Sequence, residues 1–283
     1  MIDPFDVHAD GCRLACRREG AGPPVIFIQG VGVHGDAWRP QVEGLASRYS
    51  CLWFDNRGVG DSQPATAHLS VERMALDTAA ILDAARWENA HVVGHSLGGL
   101  VALRLALSAP QRVRSLSLLC TFARGRDAGA SARMAWIGLR TRIGTRRMRR
   151  SAFLEIVAAP QALQGADRDR MARELAPVFG HDLADHPAIE MQQLAALRAA
   201  DVTDELSALS APTLVVSATH DPISPPAIGR ALADRIRGAT FEVLPDQAHG
   251  APMFAAERIN ARLLAHLDRV ERTHARAGAR VDA

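Results

Sequence analysis

The chain has 283 residues, 48% of them hydrophobic, and a net charge of +2, which allows one sizeable core and calls for no more than one domain with an insertion. Every basic residue is an arginine, and so small a net charge argues for a compositional bias of the source rather than for a nucleic-acid partner. No window approaches 18 uninterrupted apolar residues, and the opening "MIDPFDVHADGCRLACRREG" lacks a basic stretch followed by an apolar one, so a soluble α/β protein with no membrane span, located in the cytoplasm, is expected.

In chain order, "FDVHA" and "CRLACRRE" flank Asp10-Gly11 and read as an antiparallel hairpin at a sheet edge. Six runs follow, "PVIFIQG", "SCLWFDN", "AHVVGHS", "VRSLSLLC", "PTLVVSAT" and "ATFEVLP", apolar at consecutive positions as strands buried on both faces should be. Helical patterns near 37–48, 70–86, 97–109, 225–237 and 252–270 alternate with them, which predicts a mostly parallel sheet covered on both sides. The alternation breaks from Phe122 to about Val202, where sequence rich in Ala, Arg, Leu and Met is interrupted at Pro160, Pro177 and Pro187. A stretch of roughly 80 residues is too long for a plain loop, so a helical subdomain over 122–202 is expected, inserted into a core of 1–121 and 203–283. The tail "ARAGARVDA" is low in complexity, and no internal repeat is seen.

Cys12, Cys16, Cys51 and Cys120 form no CxxC or Cys/His cluster, so no metal or other cofactor is expected. On a strand, Cys12 and Cys16 would lie about 13 Å apart, too far for a disulfide, which predicts buried thiols.

The chemistry centres on "HVVGHSLGGLVALRLAL", where Gly94-His95-Ser96-Leu97-Gly98 fits G-x-S-x-G between a strand and a helix. A serine in that turn takes a strained backbone that lifts its hydroxyl above the sheet, and the flanking glycines admit close backbone. The hydroxyl needs a base and an orienting acid. Asp221 in "THDPISP" and His249 in "DQAHG" stand at later strand ends, in the order Ser96, Asp221, His249. The rival histidines are His95, which flanks the serine and should pack beneath it, His34 and His220; the rival acid is Asp246, three residues before His249.

On "GHSLGG", "DNRGVGDS", "HDPISP" and "AHG" in that order, the chain resembles an α/β-hydrolase-fold serine hydrolase over nearly its full length. The resemblance implies an eight-stranded sheet with its first strands antiparallel and a helical cap after the sixth strand. It also implies an oxyanion hole from the backbone N–H groups of Val31 and Leu97. Where the family commonly carries His-Gly after its third strand, this chain has Gln29-Gly30. Asp55 and Arg57 are read as a braced loop rather than as catalytic groups. Gln29, Trp38, Trp136 and Met253 are pocket candidates, with helix or cap packing the competing reading for the tryptophans. Six arginines between Arg140 and Arg150 are either a solvated face or a docking surface for an acyl-carrier protein or coenzyme A.

The expected activity is hydrolysis of a carboxylic ester of a small, largely apolar substrate through a Ser-His-Asp triad and an acyl-enzyme. Thioester, lactone or C–C bond cleavage would use the same triad, and a non-catalytic ligand-binding protein is the reading from another class. The sequence does not reveal the oligomeric state.

Overall fold

The computed structural model describes residues 1–64 and 69–281. Asp10 and Gly11, with φ of 43° and 72°, turn β1 (Asp3–Ala9) back onto β2 (Cys12–Glu19), with Ala9 facing Cys12. Positive φ at both central residues matches the right-handed twist of the flanking strands. β3 (Pro24–Ile28), β4 (Ser50–Phe54), β5 (Ala90–His95), β6 (Val113–Leu119), β7 (Thr213–Ala218) and β8 (Thr240–Leu244) complete an eight-stranded sheet of order β1-β2-β4-β3-β5-β6-β7-β8. β2 meets β4 antiparallel and all later pairs are parallel.

The helices are α1 (Arg39–Leu45), α2 (Val71–Ala84), α3 (Leu97–Ser108), α4 (Ala132–Arg140), α5 (Arg146–Val157), α6 (Pro160–Leu163), α7 (Arg168–Phe179), α8 (Ala188–Ala199), α9 (Pro226–Asp234), α10 (Ala251–Phe254) and α11 (Ala256–Val281). Ser70, Ser131, Thr145 and Asp167 cap α2, α4, α5 and α7, each accepting a hydrogen bond from the amide three residues on and so occupying a donor the helix leaves free.

Period-two alternation divides the core. Ile26, Ile28, Leu52, Phe54 and Val92 pack with α2 and α3 on one face, while Val25, Phe27, Cys51, Trp53 and Val93 pack with α1 and α11 on the other. The reading of all six later strands as doubly buried fails at β8, which is an edge strand and only partly buried.

The helix expected over 37–48 begins as a 3₁₀ turn (Gly35–Trp38) before α1. The one expected over 252–270 is split at Ala255 and continues to Val281, in keeping with the high helix propensity of the alanines and arginines in that stretch. The tail's last two residues, Asp282 and Ala283, lie outside the described residues.

Between β6 and β7 the chain forms α4 to α8 and, among the described residues, no strand. Its ends meet: Gly125 N–H donates to the Ala200 carbonyl (2.9 Å) and Val202 N–H to the Ala123 carbonyl (3.0 Å). Its apolar side chains, including Ile137, Leu154, Ile156 and Phe179, form a third cluster with Val33 and Ala37 of the β3–α1 loop. All four cysteines are buried. Among the described residues no helix is long and apolar enough to cross a membrane.

Candidate active site

β5 ends at His95 and α3 begins at Leu97, leaving Ser96 alone at the turn with φ 54° and ψ −118°. Such a backbone costs a non-glycine residue about 1–3 kcal/mol and persists only when its surroundings impose it. Here they do. Ser96 N–H donates to the Leu119 carbonyl (3.0 Å), and its own carbonyl accepts from Thr121 Oγ1 (2.6 Å) and Gly99 N–H (2.9 Å). The glycines follow from close approach: a Cβ at Gly94 would strike the Gly98 carbonyl, one at Gly98 the Ile28 carbonyl, and one at Gly99 the side chain of Thr121.

Asp221 lies three residues past β7 and is buried. Its Oδ1 accepts from the amides of Ile223 (2.8 Å) and Ser224 (2.9 Å), and its Oδ2 lies 2.8 Å from His249 Nδ1. Burial pushes this carboxyl up, but His249 and the two amides outweigh it and hold the group below its ordinary value. An ionised carboxylate only accepts, so the network assigns the proton to His249 Nδ1 and leaves Nε2 as an acceptor. Ser96 Oγ lies 2.9 Å from that Nε2.

The three groups are thus joined in series, and the rival acid is not part of the chain. Asp246 is exposed and faces Gln161 and His220. The His249 loop is held by two consecutive carbonyls at the end of α5, with His249 N–H donating to Ile156 (3.3 Å) and Gly250 N–H to Val157 (2.9 Å). His95 Nε2 donates to the His249 carbonyl (2.9 Å), and its burial pushes its pKa down to about 3, so it stays neutral. His95 therefore braces the His249 loop as well as packing beside the serine.

The β3–α1 loop is fixed by side chains from three directions. Gln29 Oε1 accepts from Gly30 N–H (3.1 Å), Asn56 Nδ2 donates to the Gln29 carbonyl (2.9 Å), and Asp55 Oδ1 accepts from Gly35 N–H (2.7 Å). From the insertion, Gln193 Oε1 accepts from Gly32 N–H (2.7 Å). A Cβ on Gly30 would sit 3.3 Å from Ser96 Cβ, so the loop passes close to the serine at Gly30. Among the described residues, neither the Val31 nor the Leu97 N–H enters a backbone or side-chain hydrogen bond. Arg57 is buried, pairs with Asp77 of α2 through its Nε (2.9 Å) and donates to the Ala9 and Asp10 carbonyls at the β1–β2 turn (2.9 and 3.1 Å).

The pocket candidates divide. Gln29 is buried beside Gly30, and Met253 is partly buried against the third cluster. Trp38 is a correction: it is fully buried between Phe27 and His95 and presents no surface to a substrate. Trp136 is also corrected as a roof residue. It is 59% exposed, while its neighbour Ile137 is the side chain of α4 that turns inward. Of the arginines read as a docking face, Arg146 pairs with Asp182 and Asp185, Arg147 with Asp169, Arg150 with Asp182, and Arg140 with Glu155. Most of that charge is spent within the insertion.

The sequence did not single out Asn56, Thr121, Ser224 or Gln193. Each acts across at least 25 residues of chain, a distance that no local pattern encodes. Among the described residues no cluster of His, Cys, Asp or Glu could hold a metal ion.

A family model described as alpha/beta hydrolase fold matches residues 23–256. The chain is 34% identical to a putative carbamate hydrolase RutD of Variovorax paradoxus, over 88% of this chain and 93% of that protein. It is 32% identical to a pimeloyl-[acyl-carrier protein] methyl ester esterase of Aeromonas hydrophila, over 83% of this chain and 92% of that one. Among solved structures, the enol-lactonase of Burkholderia xenovorans superposes with a TM-score of 0.79 at 25% identity, covering 93% of this chain and 100% of the other.

Proposed function

The chain belongs to the alpha/beta hydrolase fold family, and from that premise we propose that it hydrolyses a carboxylic ester of a small, largely apolar substrate through an acyl-enzyme on Ser96. The observation that carries this reading is the unbroken series Asp221–His249–Ser96, with links of 2.8 and 2.9 Å. As Ser96 Oγ attacks the acyl carbon, His249 Nε2 takes the hydroxyl proton and Asp221 stabilises the imidazolium that forms. The carbonyl oxygen, now an oxyanion, is received by the amides of Val31 and Leu97, and each donor of this kind is typically worth about 3–4 kcal/mol of barrier. His249 returns the proton to the leaving alkoxide as the C–O bond breaks. It then deprotonates water, which attacks the acyl-enzyme, and a second oxyanion collapses to free acid and Ser96.

In this reading residues 122–202 are a lid on a core of 1–121 and 203–283. The apolar side chains it shares with Met253 and Phe254 set the choice of acyl group.

A second reading is supported by the relative named as a putative carbamate hydrolase. The same attack on a carbamate gives a carbamoylated Ser96 and asks nothing further of the residues. Lactone, thioester and C–C substrates remain within the same chemistry. A methyl ester carried on an acyl-carrier protein is supported by the Aeromonas relative, with the exposed apolar face of Trp136, Leu139, Ile143 and Met148 beside Arg149 as its docking surface.

The test is a panel of p-nitrophenyl esters, carbamates, lactones and acyl thioesters with wild type and Ser96→Ala, together with fluorophosphonate labelling. Ester turnover and labelling that both vanish in Ser96→Ala are expected. Absence of labelling in the wild type would overturn the nucleophile assignment, and turnover of carbamates alone would replace the first reading by the second.

A further inference from the structure

Val31 lies between two glycines, and glycine places little restriction of its own on backbone direction. The direction of the Val31 N–H must therefore be imposed from outside the residue. On one side the Gly30 amide is held by Gln29 Oε1 at 3.1 Å. On the other, the Gly32 amide is held by Gln193 Oε1 at 2.7 Å, and that amide belongs to the peptide unit following Val31. Gly32 takes φ 68°, and a Cβ there would collide with the carboxylate end of Glu190, so α8 covers this residue with two side chains one turn apart. Glu190 is itself fixed, with Oε1 2.7 Å from His181 Nε2. Further along the loop, His34 N–H donates to the Val178 carbonyl near the end of α7 (2.9 Å).

Gln193 is fully buried, and its Nε2 has no hydrogen-bond partner among the described residues. Burying an amide with one end unsatisfied is unfavourable. A residue whose only task was to fill space under α8 would be better served by leucine or methionine, so the Gly32 contact is the feature that needs the carbonyl.

We propose that Gln193 is a positioning residue for the Val31 amide, so that the oxyanion site is complete only while α8 is seated on the β3–α1 loop. The inference rests on the reading of Ser96 as nucleophile and deepens it. It makes the insertion a contributor to the chemical step, beyond any role in roofing the substrate, because a lid that lifts α8 also releases the donor.

The experiment compares Gln193→Met, which keeps the length and loses the acceptor, with Gln193→Glu, which keeps an oxygen facing Gly32. Steady-state kcat and KM for p-nitrophenyl acetate are measured with thermal unfolding as the control for folding. Displacing one donor should lower kcat of Gln193→Met about 10- to 100-fold with KM within about threefold of wild type, and Gln193→Glu should recover kcat to within about fivefold. A folded Gln193→Met with unchanged kcat, a change confined to KM, or a Gln193→Glu no better than the methionine variant overturns the inference. Should the methionine variant fail to fold, Gln193→Asn, one methylene too short to reach Gly32, takes its place with the same expectation. Ser96-dependent fluorophosphonate labelling of the wild type is run alongside. Its absence overturns the nucleophile reading and this inference with it, whereas normal labelling with unchanged kcat in the variants overturns this inference alone.

Discussion

Replacing Asp221 by asparagine leaves the shape of the side chain intact, yet the surrounding hydrogen bonds force a single outcome. The amides of Ile223 and Ser224, at 2.8 and 2.9 Å, both need an acceptor at the position of Oδ1. The asparagine must therefore place its oxygen there and turn its NH₂ toward His249 Nδ1, where Oδ2 now lies at 2.8 Å. Facing a donor, Nδ1 must give up its proton, and the imidazole moves to the tautomer with hydrogen on Nε2. That nitrogen then donates to Ser96 Oγ instead of accepting from it, so the serine loses its base, and the charge opposite the imidazolium is lost as well. The penalty for such a tautomer reversal is about 10⁴-fold in kcat, or about 5 kcal/mol of barrier. Both backbone amides stay satisfied, so the fold should survive. The assay is kcat for a p-nitrophenyl ester at pH 7.5, with circular dichroism to verify folding and Asp246→Asn as the exposed comparison. A kcat within tenfold of wild type in Asp221→Asn, or a greater loss in Asp246→Asn, would refute the argument.

Ser96→Ala should lower esterase turnover by at least about 10³-fold without changing the fold; more than a few per cent residual activity refutes the assignment. Asp77→Ala removes a buried carboxylate that Arg57 contacts while its bonds to the Ala9 and Asp10 carbonyls stay, which should cost about 1–3 kcal/mol of stability and lower Tm by roughly 2–5 °C in a chain of this size; a loss under about 0.5 kcal/mol in chemical denaturation contradicts it. Burial, the largest influence on each, lowers the pKa of His91 to about 4, of His95 to about 3 and of His266 to about 4. The unfolded chain thus binds protons that the folded one refuses, and stability is full above the ordinary histidine value. It should fall as pH drops from about 6.5 toward 4, by up to about 1.4 kcal/mol per pH unit for each histidine. Denaturation midpoints that do not change between pH 7 and 5 would contradict this.

Much of the fold was legible along the chain. Apolar runs bounded by turn residues marked the strands, Asp10-Gly11 marked the hairpin, and the glycines around Ser96 marked a turn that only a strand passing into a helix can make. These features are local, because backbone sterics and side-chain period act over a few residues. The order Ser96, Asp221, His249 could likewise be read off strand ends, since a parallel sheet gathers those ends along one edge. Packing decided the rest. Trp38 reads equally well as pocket wall or core until Phe27 and His95 are seen to enclose it. Trp136 and Ile137 are adjacent apolar residues, and only the seating of α4 turns one outward and the other in. The arginines of α5 look like a binding face until Asp169, Asp182 and Asp185 fold against them. The hydrogen bond from Gly32 to Gln193 spans 161 residues. Nothing in either segment specifies it, because the direction of a buried amide is set by whichever acceptor the tertiary fold carries to it.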